Sequence, residues 1–235
     1  MQATWSGIDK IYCISLAERL DRQADARAQF ARVGLADRVE FAIVEKHPQD
    51  CEQGIYESHL QCLRKGLEAG AERIMVFEDD IIFHRVTPER IAHITTFLDT
   101  HKSWHMLLLG GLVNHSEPTD HPSIRRVRYR SLTHAYVVHR RLADQIVRQP
   151  WKKVPYDDFL KRLNDPETYA LYPSIAFQSN SESDNERYLP LDRFRRWCGG
   201  LQAIQKRNEF YHCHRWLVIG AHVAVVLLLL WAVML

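Results

Sequence analysis

Apolar runs alternate with amphipathic stretches through the first half of the chain. Short β-branched and aromatic runs predict strands, whereas apolar residues spaced three or four apart and closed by glycine predict helices. The strands are predicted over residues 10–15, 39–44, 73–77 and 106–109, and the helices over 22–33, 55–69 and 87–100. Strands that alternate with helices indicate an α/β fold, with a mostly parallel sheet and helices on both faces.

The alternation of predicted strands and helices becomes less regular after Gly111. Residues 114–123 are polar and contain prolines, so we expect a loop there. One or two strands are predicted over 127–138 and an interrupted strand over 169–178, with helices over 141–149 and 156–163. The polar run SNSESDNER at 179–187 predicts a flexible loop, and we expect the folded domain, residues 1–187, to end with it.

Residues 188–215 form a basic amphipathic segment in front of an apolar one. Its arginines and lysines alternate with large apolar residues such as Phe194, Trp197 and Phe210. This pattern is typical of a helix that lies on an anionic membrane surface. It is equally typical of a helix that packs its apolar stripe on the domain, and the sequence leaves both alternatives open.

The last twenty residues, 216–235, read WLVIGAHVAVVLLLLWAVML, with His222 as the one strongly polar side chain. A helix of this length spans roughly 30 Å, the hydrocarbon thickness of a bilayer. The alternative is a buried core helix, but so small a domain offers little protein to cover it. We therefore predict a transmembrane tail anchor. The basic residues before it indicate that the domain faces the cytoplasm.

Composition narrows the classes of partner. The chain has 31 basic and 29 acidic residues in 235, and so small a basic excess argues against nucleic acid as a partner. Its five cysteines are widely spaced and form no CxxC pair, and the polar N-terminus does not resemble a signal peptide. Reduced thiols are therefore expected.

Three adjacent carboxylates, Glu78, Asp79 and Asp80, interrupt the apolar run IMVFEDDIIF. They follow the strand predicted over 73–77, and ligands of open α/β sheets bind beyond the carboxyl ends of the strands. In an extended chain Glu78 and Asp80 would point one way and Asp79 the other. Such oxygen ligands suit Mg²⁺ or Mn²⁺. The alternative is an acidic turn that faces solvent.

Further charged residues fit the same sheet edge. Arg19 and Arg22 follow the first strand, where guanidinium groups could bind a diphosphate, although they could also be ordinary charges at a helix start. Asp157 and Asp158 begin the helix predicted over 156–163. Either one could accept a proton, or could simply be a favourable charge in a first helical turn.

These pieces together resemble glycosyltransferase family 25, which contains lipopolysaccharide and collagen galactosyltransferases. The similarity runs in order over most of residues 8–187. It consists of Ile11 to Leu16 with Arg19, Asp21 and Arg22; Gly54 with Ser58 and His59; Val76 to Ile81; Thr133 to Tyr136; Pro155 with Asp157 to Leu160; Tyr169 to Pro173; and Gln178 with Ser183 and Asp184. Two positions depart from the family pattern, Ser15 in place of asparagine and Ile55 in place of cysteine.

The resemblance implies a GT-A-like fold, a nucleotide-sugar donor, most often UDP-galactose, and an inverting transfer assisted by Mn²⁺ or Mg²⁺. The roles it implies are metal binding by Asp79 and Asp80, donor binding by Arg19, Arg22, Ser58, His59 and Glu78, and general-base catalysis by Asp157 or Asp158. Together with the anchor it implies a glycan or glycolipid acceptor such as lipopolysaccharide, contact with membrane lipids, and location at the inner membrane. The alternatives are a non-catalytic membrane-anchored scaffold and a metal-dependent phosphotransferase.

Overall fold

An eight-stranded sheet runs through the domain in the computed structural model, which describes residues 5–179 and 199–234. The strands are β1 (Lys10–Leu16), β2 (Val39–Val44), β3 (Arg73–Glu78), β4 (Ile81–Phe83), β5 (Met106–Leu108), β6 (Leu112–Pro118), β7 (Ile124–Ser131), β8 (Ala135–His139), β9 (Thr168–Leu171) and β10 (Ala176–Gln178). The order in the large sheet is β2-β1-β3-β8-β5-β9-β7-β6, and β4 pairs with β10 in a separate two-stranded sheet.

Most strands of the large sheet run in the same direction. β2, β1 and β3 are mutually parallel, as are β5 and β9, whereas β8 and β7 are antiparallel to each of their neighbours. It follows that only β8 and β7 run against the other six. The predicted α/β fold with a mostly parallel sheet is confirmed.

Helices cover both faces of the sheet. They are α1 (Leu20–Arg32), α2 (Cys51–Glu68), α3 (Pro88–Thr100), α4 (Arg140–Val147), α5 (Tyr156–Leu163) and α6 (Gly200–Met234). Successive residues of β3 enter opposite cores, Met75 on the side of α1 and α3, and Val76 on the side of α2, α4 and α5. Burial on both faces explains why the central strands read as continuous apolar runs.

Two strands differ from the sequence prediction: β4 was not predicted, and β6 begins a segment that was expected to be a loop. Residues 114–123 were expected to form a loop, but β6 extends to Pro118. It pairs with β7 at the edge of the sheet, with irregular register at Val113 and His115. An edge strand tolerates bulges, polar side chains and proline because its outer hydrogen-bonding groups have no neighbouring strand.

The first part of α6 packs against the domain. The Gln205 side chain donates to the Ala176 carbonyl at 2.8 Å. Asn208 both accepts from and donates to the backbone of Val113, each at 3.0 Å, so its amide caps the outer edge of β6. Of the two alternatives for the basic segment, packing on the domain therefore holds for the described residues from Gly200 onward. The boundary predicted at residue 187 and the segment's first arginines lie outside the described residues.

The second part of α6 is apolar and exposed. After a non-helical residue, His214, the helix continues to Met234. It is long and apolar enough to span a membrane, and none of its most apolar window is buried in the protein. Trp216 is 73% exposed and Leu228 63%. The alternative of a buried core helix is therefore wrong.

Close backbone packing beside β10 gives a first prediction. A Cβ at Gly110 would lie 1.9 Å from the carbonyl oxygen of Ala176. Because that neighbour is backbone, Gly110→Ala should destabilise the fold by roughly 3 kcal/mol or more. Urea unfolding followed by circular dichroism in detergent measures this. Gly220→Ala, whose added Cβ meets no atom, is the matched control, and equal midpoints for the two variants would contradict the expected overlap.

Candidate active site

A cleft of about 510 Å³ opens at the carboxyl ends of β1, β2 and β3. This is the sheet edge at which open α/β folds bind their ligands. Its wall combines strand ends, the first turns of α2 and α5, the segment between β7 and β8, and the start of α6. Of the residues predicted for the site, those lining the cleft are Arg22, Ser58, His59, Glu78, Asp79, Asp80, Asp157 and Asp158.

Asp79 points toward β1 and α1. Its Oδ2 accepts a hydrogen bond from Ser15 Oγ at 2.6 Å, and its Oδ1 accepts from Arg22 Nη1 at 3.3 Å. The side chain is almost fully buried, and burial raises its pKa although the contacts with Ser15 and Arg22 oppose the shift. Serine at position 15, one of the two departures from the family pattern, still supplies a donor to this carboxylate.

Glu78 and Asp80 point the other way, as the strand alternation predicted. The Gln178 amide donates to Glu78 Oε2 at 3.3 Å, and β10 places this amide beside both carboxylates. Burial raises the pKa of each, and each is raised further by neighbouring carboxylates, Asp157 for Glu78 and Glu78 for Asp80. Two carboxylates are thus held side by side, partly buried in the wall of the cleft, and this arrangement favours uptake of a proton or a cation.

The residues here fit a hard divalent cation. Asp80 Oδ1 and Gln178 Oε1 are buried and accept no hydrogen bond from any described residue. With Glu78 they make a set of oxygen donors of the kind that Mg²⁺ and Mn²⁺ prefer. Within residues 5–179 and 199–234, no three His, Cys, Asp or Glu side chains gather into a complete metal site. The oxygen donors of Glu78, Asp80 and Gln178 suit an ion that has few protein ligands and whose remaining coordination positions are filled by substrate phosphates.

His59 forms the floor of the cleft. It is fully buried, stacks on Tyr156 at 4.1 Å between ring centroids, and its Nδ1 lies 3.0 Å from Tyr136 Oη. Burial lowers the pKa of His59 to about 3, so its contact of 3.5 Å with Glu78 Oε1 is not an ion pair at neutral pH. Ser58, one position earlier, donates to the Gly54 carbonyl within α2.

The two arginines differ in position. Arg22 reaches the cleft and pairs with Asp79. Arg19 pairs at 2.9 Å with the exposed Asp21 beside the start of α1, and its own side chain is 17% exposed and does not line the cleft. A diphosphate in the cleft would therefore lie closer to Arg22 than to Arg19.

Asp157 is engaged on both oxygens. Oδ1 accepts from Tyr129 Oη at 2.5 Å and from Thr133 Oγ1 at 2.6 Å, and Oδ2 accepts from the Leu132 backbone N–H at 2.9 Å. Leu132 has a φ of 73°, a strained conformation for a branched side chain. Asp157 therefore stabilises the conformation of the β7–β8 connection, and its role is structural.

Asp158, the neighbouring candidate, lies in a different environment. It is half-buried, it lines the cleft, and its carboxylate accepts no hydrogen bond from the part of the chain that is described. A general base needs a lone pair available to the substrate. Of the two candidates that the sequence left open, Asp158 is the one with that property.

This difference predicts separate effects on stability. Asp157→Ala leaves the donors of Tyr129, Leu132 and Thr133 unpaired, so we expect a loss of roughly 3 kcal/mol in the free energy of unfolding. Asp158→Ala, the matched control, removes only a favourable charge in a first helical turn, worth about 1 kcal/mol or less. Chemical denaturation of both variants measures the difference. Similar losses would mean that the contacts of Asp157 do not stabilise the fold.

Several cleft residues were not among the predicted site residues. Gln178 and Thr133 belong to the quoted motifs but carried no assigned role. Their positions depend on the β4–β10 pairing and on the β7–β8 bend, which no local pattern specifies. Gly200 and Leu201 also line the cleft. They lie in a segment expected to be outside the domain, so sequence offered no signal for them.

No protein-family model and no curated protein matches this sequence. Solved structures with a similar fold include A197 from STIV, at 14% identity and a TM-score of 0.48, which covers 73% of this chain and 86% of that one. A glycosyltransferase involved in glycosylation of the major capsid of PBCV-1 has 12% identity and a TM-score of 0.42, covering 69% and 81%. A mannose-1-phosphate geranyltransferase from Thermus thermophilus has 12% identity and a TM-score of 0.40, covering 69% and 59%. Likeness at this level carries no information about the reaction of this chain.

Proposed function

We propose that this protein is a metal-assisted glycosyltransferase that moves a hexose from a nucleotide sugar, UDP-galactose in the first instance, onto a membrane-associated glycan such as lipopolysaccharide. The observation that carries the proposal is the pair Glu78 and Asp80 with the Gln178 amide, facing a cleft that also contains the unengaged Asp158. A cleft of about 510 Å³ is of a size that holds a small ligand such as a nucleotide sugar.

The chain's own residues supply most of the chemistry. Arg22, fixed by Asp79, lies where it can bind the diphosphate. The oxygen of the acceptor hydroxyl bonds to the anomeric carbon, and Asp158 accepts the proton that this hydroxyl loses. The bond from that carbon to the diphosphate oxygen breaks, and its electron pair leaves with the nucleoside diphosphate. Attack from the face opposite the leaving group inverts the anomeric configuration.

Glu78, Asp80 and Gln178 are the residues that would bind the metal ion. When bound, Mn²⁺ or Mg²⁺ would neutralise the negative charge that develops on the departing diphosphate. In this scheme the contacts of Asp79 with Ser15 and Arg22 give it a positioning role, in addition to the metal binding that the sequence predicted for it. Its direct binding to the metal remains a prediction to be tested beside that of Asp80.

The cellular location is part of the proposal. The apolar half of α6 would anchor the protein in the inner membrane, with Arg215 and the basic residues before it keeping the domain in the cytoplasm. Glycans assembled on lipid carriers at that surface are the acceptors that this geometry suits.

A donor screen tests the proposal. The full chain in detergent is incubated with Mn²⁺ and a panel of nucleotide sugars, and binding and release of nucleoside diphosphate are measured. We expect turnover with a UDP-hexose, dependence on the divalent cation, and inverted configuration in the product by NMR. Binding without turnover for every acceptor tested would favour the scaffold, and release of inorganic phosphate without sugar transfer would favour the phosphotransferase.

A further inference from the structure

Three aromatic side chains form a hydrogen-bonded network at the floor of the cleft. They are His59 of α2, Tyr136 of β8 and Tyr156, the first residue of α5. Tyr136 Oη lies 3.0 Å from His59 Nδ1 and 3.2 Å from Tyr156 Oη. Each of the three residues is at most 1% exposed, so bulk water does not compete for these contacts. The network is therefore a fixed part of the core.

The other ring nitrogen of His59 faces the candidate metal site. His59 Nε2 lies 3.5 Å from Glu78 Oε1 and makes no hydrogen bond to any other residue within 5–179 and 199–234. Tyr136 pairs with Val76, two residues before Glu78 on β3, so Tyr136 and Glu78 lie on the same face of the sheet. The network therefore leads from α5 to the carboxylate through adjacent side chains.

Packing restricts the orientation of the His59 ring. The ring stacks on Tyr156 with 9° between the two ring planes. A rotation of the ring by half a turn would place carbon atoms where both nitrogen atoms now lie, and it would break the contact with the Tyr136 hydroxyl. The hydrogen bond at Nδ1 therefore also determines where Nε2 points.

A neutral histidine carries one ring proton, and the network determines which nitrogen holds it. If Nε2 of His59 holds the proton, that proton faces the Glu78 carboxylate. Nδ1 then accepts from Tyr136, which in turn accepts from Tyr156. If Nδ1 holds the proton, the lone pair of Nε2 faces a negative carboxylate, and the Tyr156 hydroxyl has no acceptor in the described part of the chain. The first arrangement satisfies every donor and is the more stable one.

Resting on the proposed function, we propose that His59 is a positioning residue for the metal site, whose Nε2–H holds the Glu78 carboxylate. Tyr136 and Tyr156 fix the tautomer that provides this proton. A carboxylate has further lone pairs, so Glu78 held in this way can still bind the cation. Partners of this kind orient metal-binding side chains, and their loss typically costs roughly 10- to 100-fold in metal affinity or activity.

The tautomer of His59 can be measured directly. The full chain is prepared in detergent with ¹⁵N-labelled histidine, and two-bond ¹H–¹⁵N NMR spectra identify the protonated nitrogen of each ring. The chain has 13 histidines, so the His59 signals are assigned by their loss in His59→Gln. We expect a proton on Nε2 and none on Nδ1, without any metal or donor added. A proton on Nδ1 would overturn the inference.

The affinity for Mn²⁺ alone tests the positioning role, with binding followed by electron paramagnetic resonance. His59→Leu should weaken binding by at least tenfold, whereas His59→Gln, which keeps an N–H donor, should stay within about threefold of wild type. Tyr136→Phe keeps the ring but loses the contact at Nδ1, so an intermediate loss is expected. Tyr56→Phe is the matched control. It removes a buried hydroxyl that donates to the Gln149 carbonyl at 3.1 Å in the same aromatic cluster, and it should leave the affinity unchanged.

The outcomes separate this inference from the proposed function. Wild-type Mn²⁺ affinity in both His59→Leu and Tyr136→Phe would overturn the inference even if the chain transfers sugar, and a lower unfolding midpoint as their only effect would mean a purely structural role. Failure of the wild-type chain to use any nucleotide sugar removes the proposed function but leaves the tautomer and Mn²⁺ results standing. Absence of Mn²⁺ binding by the wild-type chain would overturn both.

Discussion

Asp80→Asn should reduce sugar transfer by roughly 10³-fold, the loss typical when a group that stabilises transition-state charge is removed. Asp80 Oδ1 is buried without a hydrogen-bond donor, beside the carboxylate of Glu78. The amide has nearly the same shape, so the loss concerns charge and affinity for the cation. Replacing one of two repelling carboxylates should leave the free energy of unfolding unchanged or slightly higher.

Activity and cation affinity need to be measured on the same samples. Mn²⁺ binding followed by electron paramagnetic resonance should weaken together with turnover. Asp25→Asn, on the exposed face of α1, removes an equal charge away from the cleft and should change neither quantity. Wild-type turnover in Asp80→Asn would remove the central claim. Asp79→Asn should act mainly by freeing Arg22 and Ser15, with a smaller effect on Mn²⁺ affinity.

Asp158→Asn should lower kcat by about 10²–10⁴-fold, the usual contribution of a general base. The KM for the donor should change little, because the residue acts on the acceptor proton. The amide cannot take up that proton, so the loss should appear in kcat with the fold preserved.

A structural role for Asp158 would give a different set of results. In that case the unfolding midpoint would fall together with the activity, and the KM for the donor would change as well. Asp157→Asn supplies the comparison, since it should lower stability through Tyr129 and Thr133. If Asp157→Asn abolished kcat at unchanged stability while Asp158→Asn remained active, the assignment of the base would have to be reversed.

The sequence predicted the α/β core well because the pattern there is strong and local. Continuous apolar runs gave β1, β2 and β3, and Thr87 followed by Pro88 marked the start of α3 at the observed residue. β6 was missed because an edge strand has no need of the alternating apolar pattern by which strands are recognised. The polar residues and Pro118 that indicated a loop are tolerated at that position.

The site was predictable only as far as strand order determines it. The opposite directions of Asp79 and Asp80 follow from the period of an extended chain. The partners of those side chains do not, because Ser15 is 64 residues from Asp79 and Gln178 is 100 residues from Glu78. The choice between Asp157 and Asp158 likewise depends on donors from Tyr129 of β7 and from Leu132 and Thr133 of the β7–β8 connection, which only the folded chain brings to α5.

The cap that Asn208 places on Val113 affects how a soluble form of this protein should be made. Cutting the chain at residue 187 to remove the membrane helix would uncover the outer edge of β6 and leave its backbone groups open to pairing with other molecules. Such a protein would aggregate and lose the Leu201 side of the cleft, and its inactivity would say nothing about the natural enzyme. A cut after Arg215 keeps every docked contact of α6 and discards only the apolar residues, so it is the better end point for crystallisation and for screening donors in free solution.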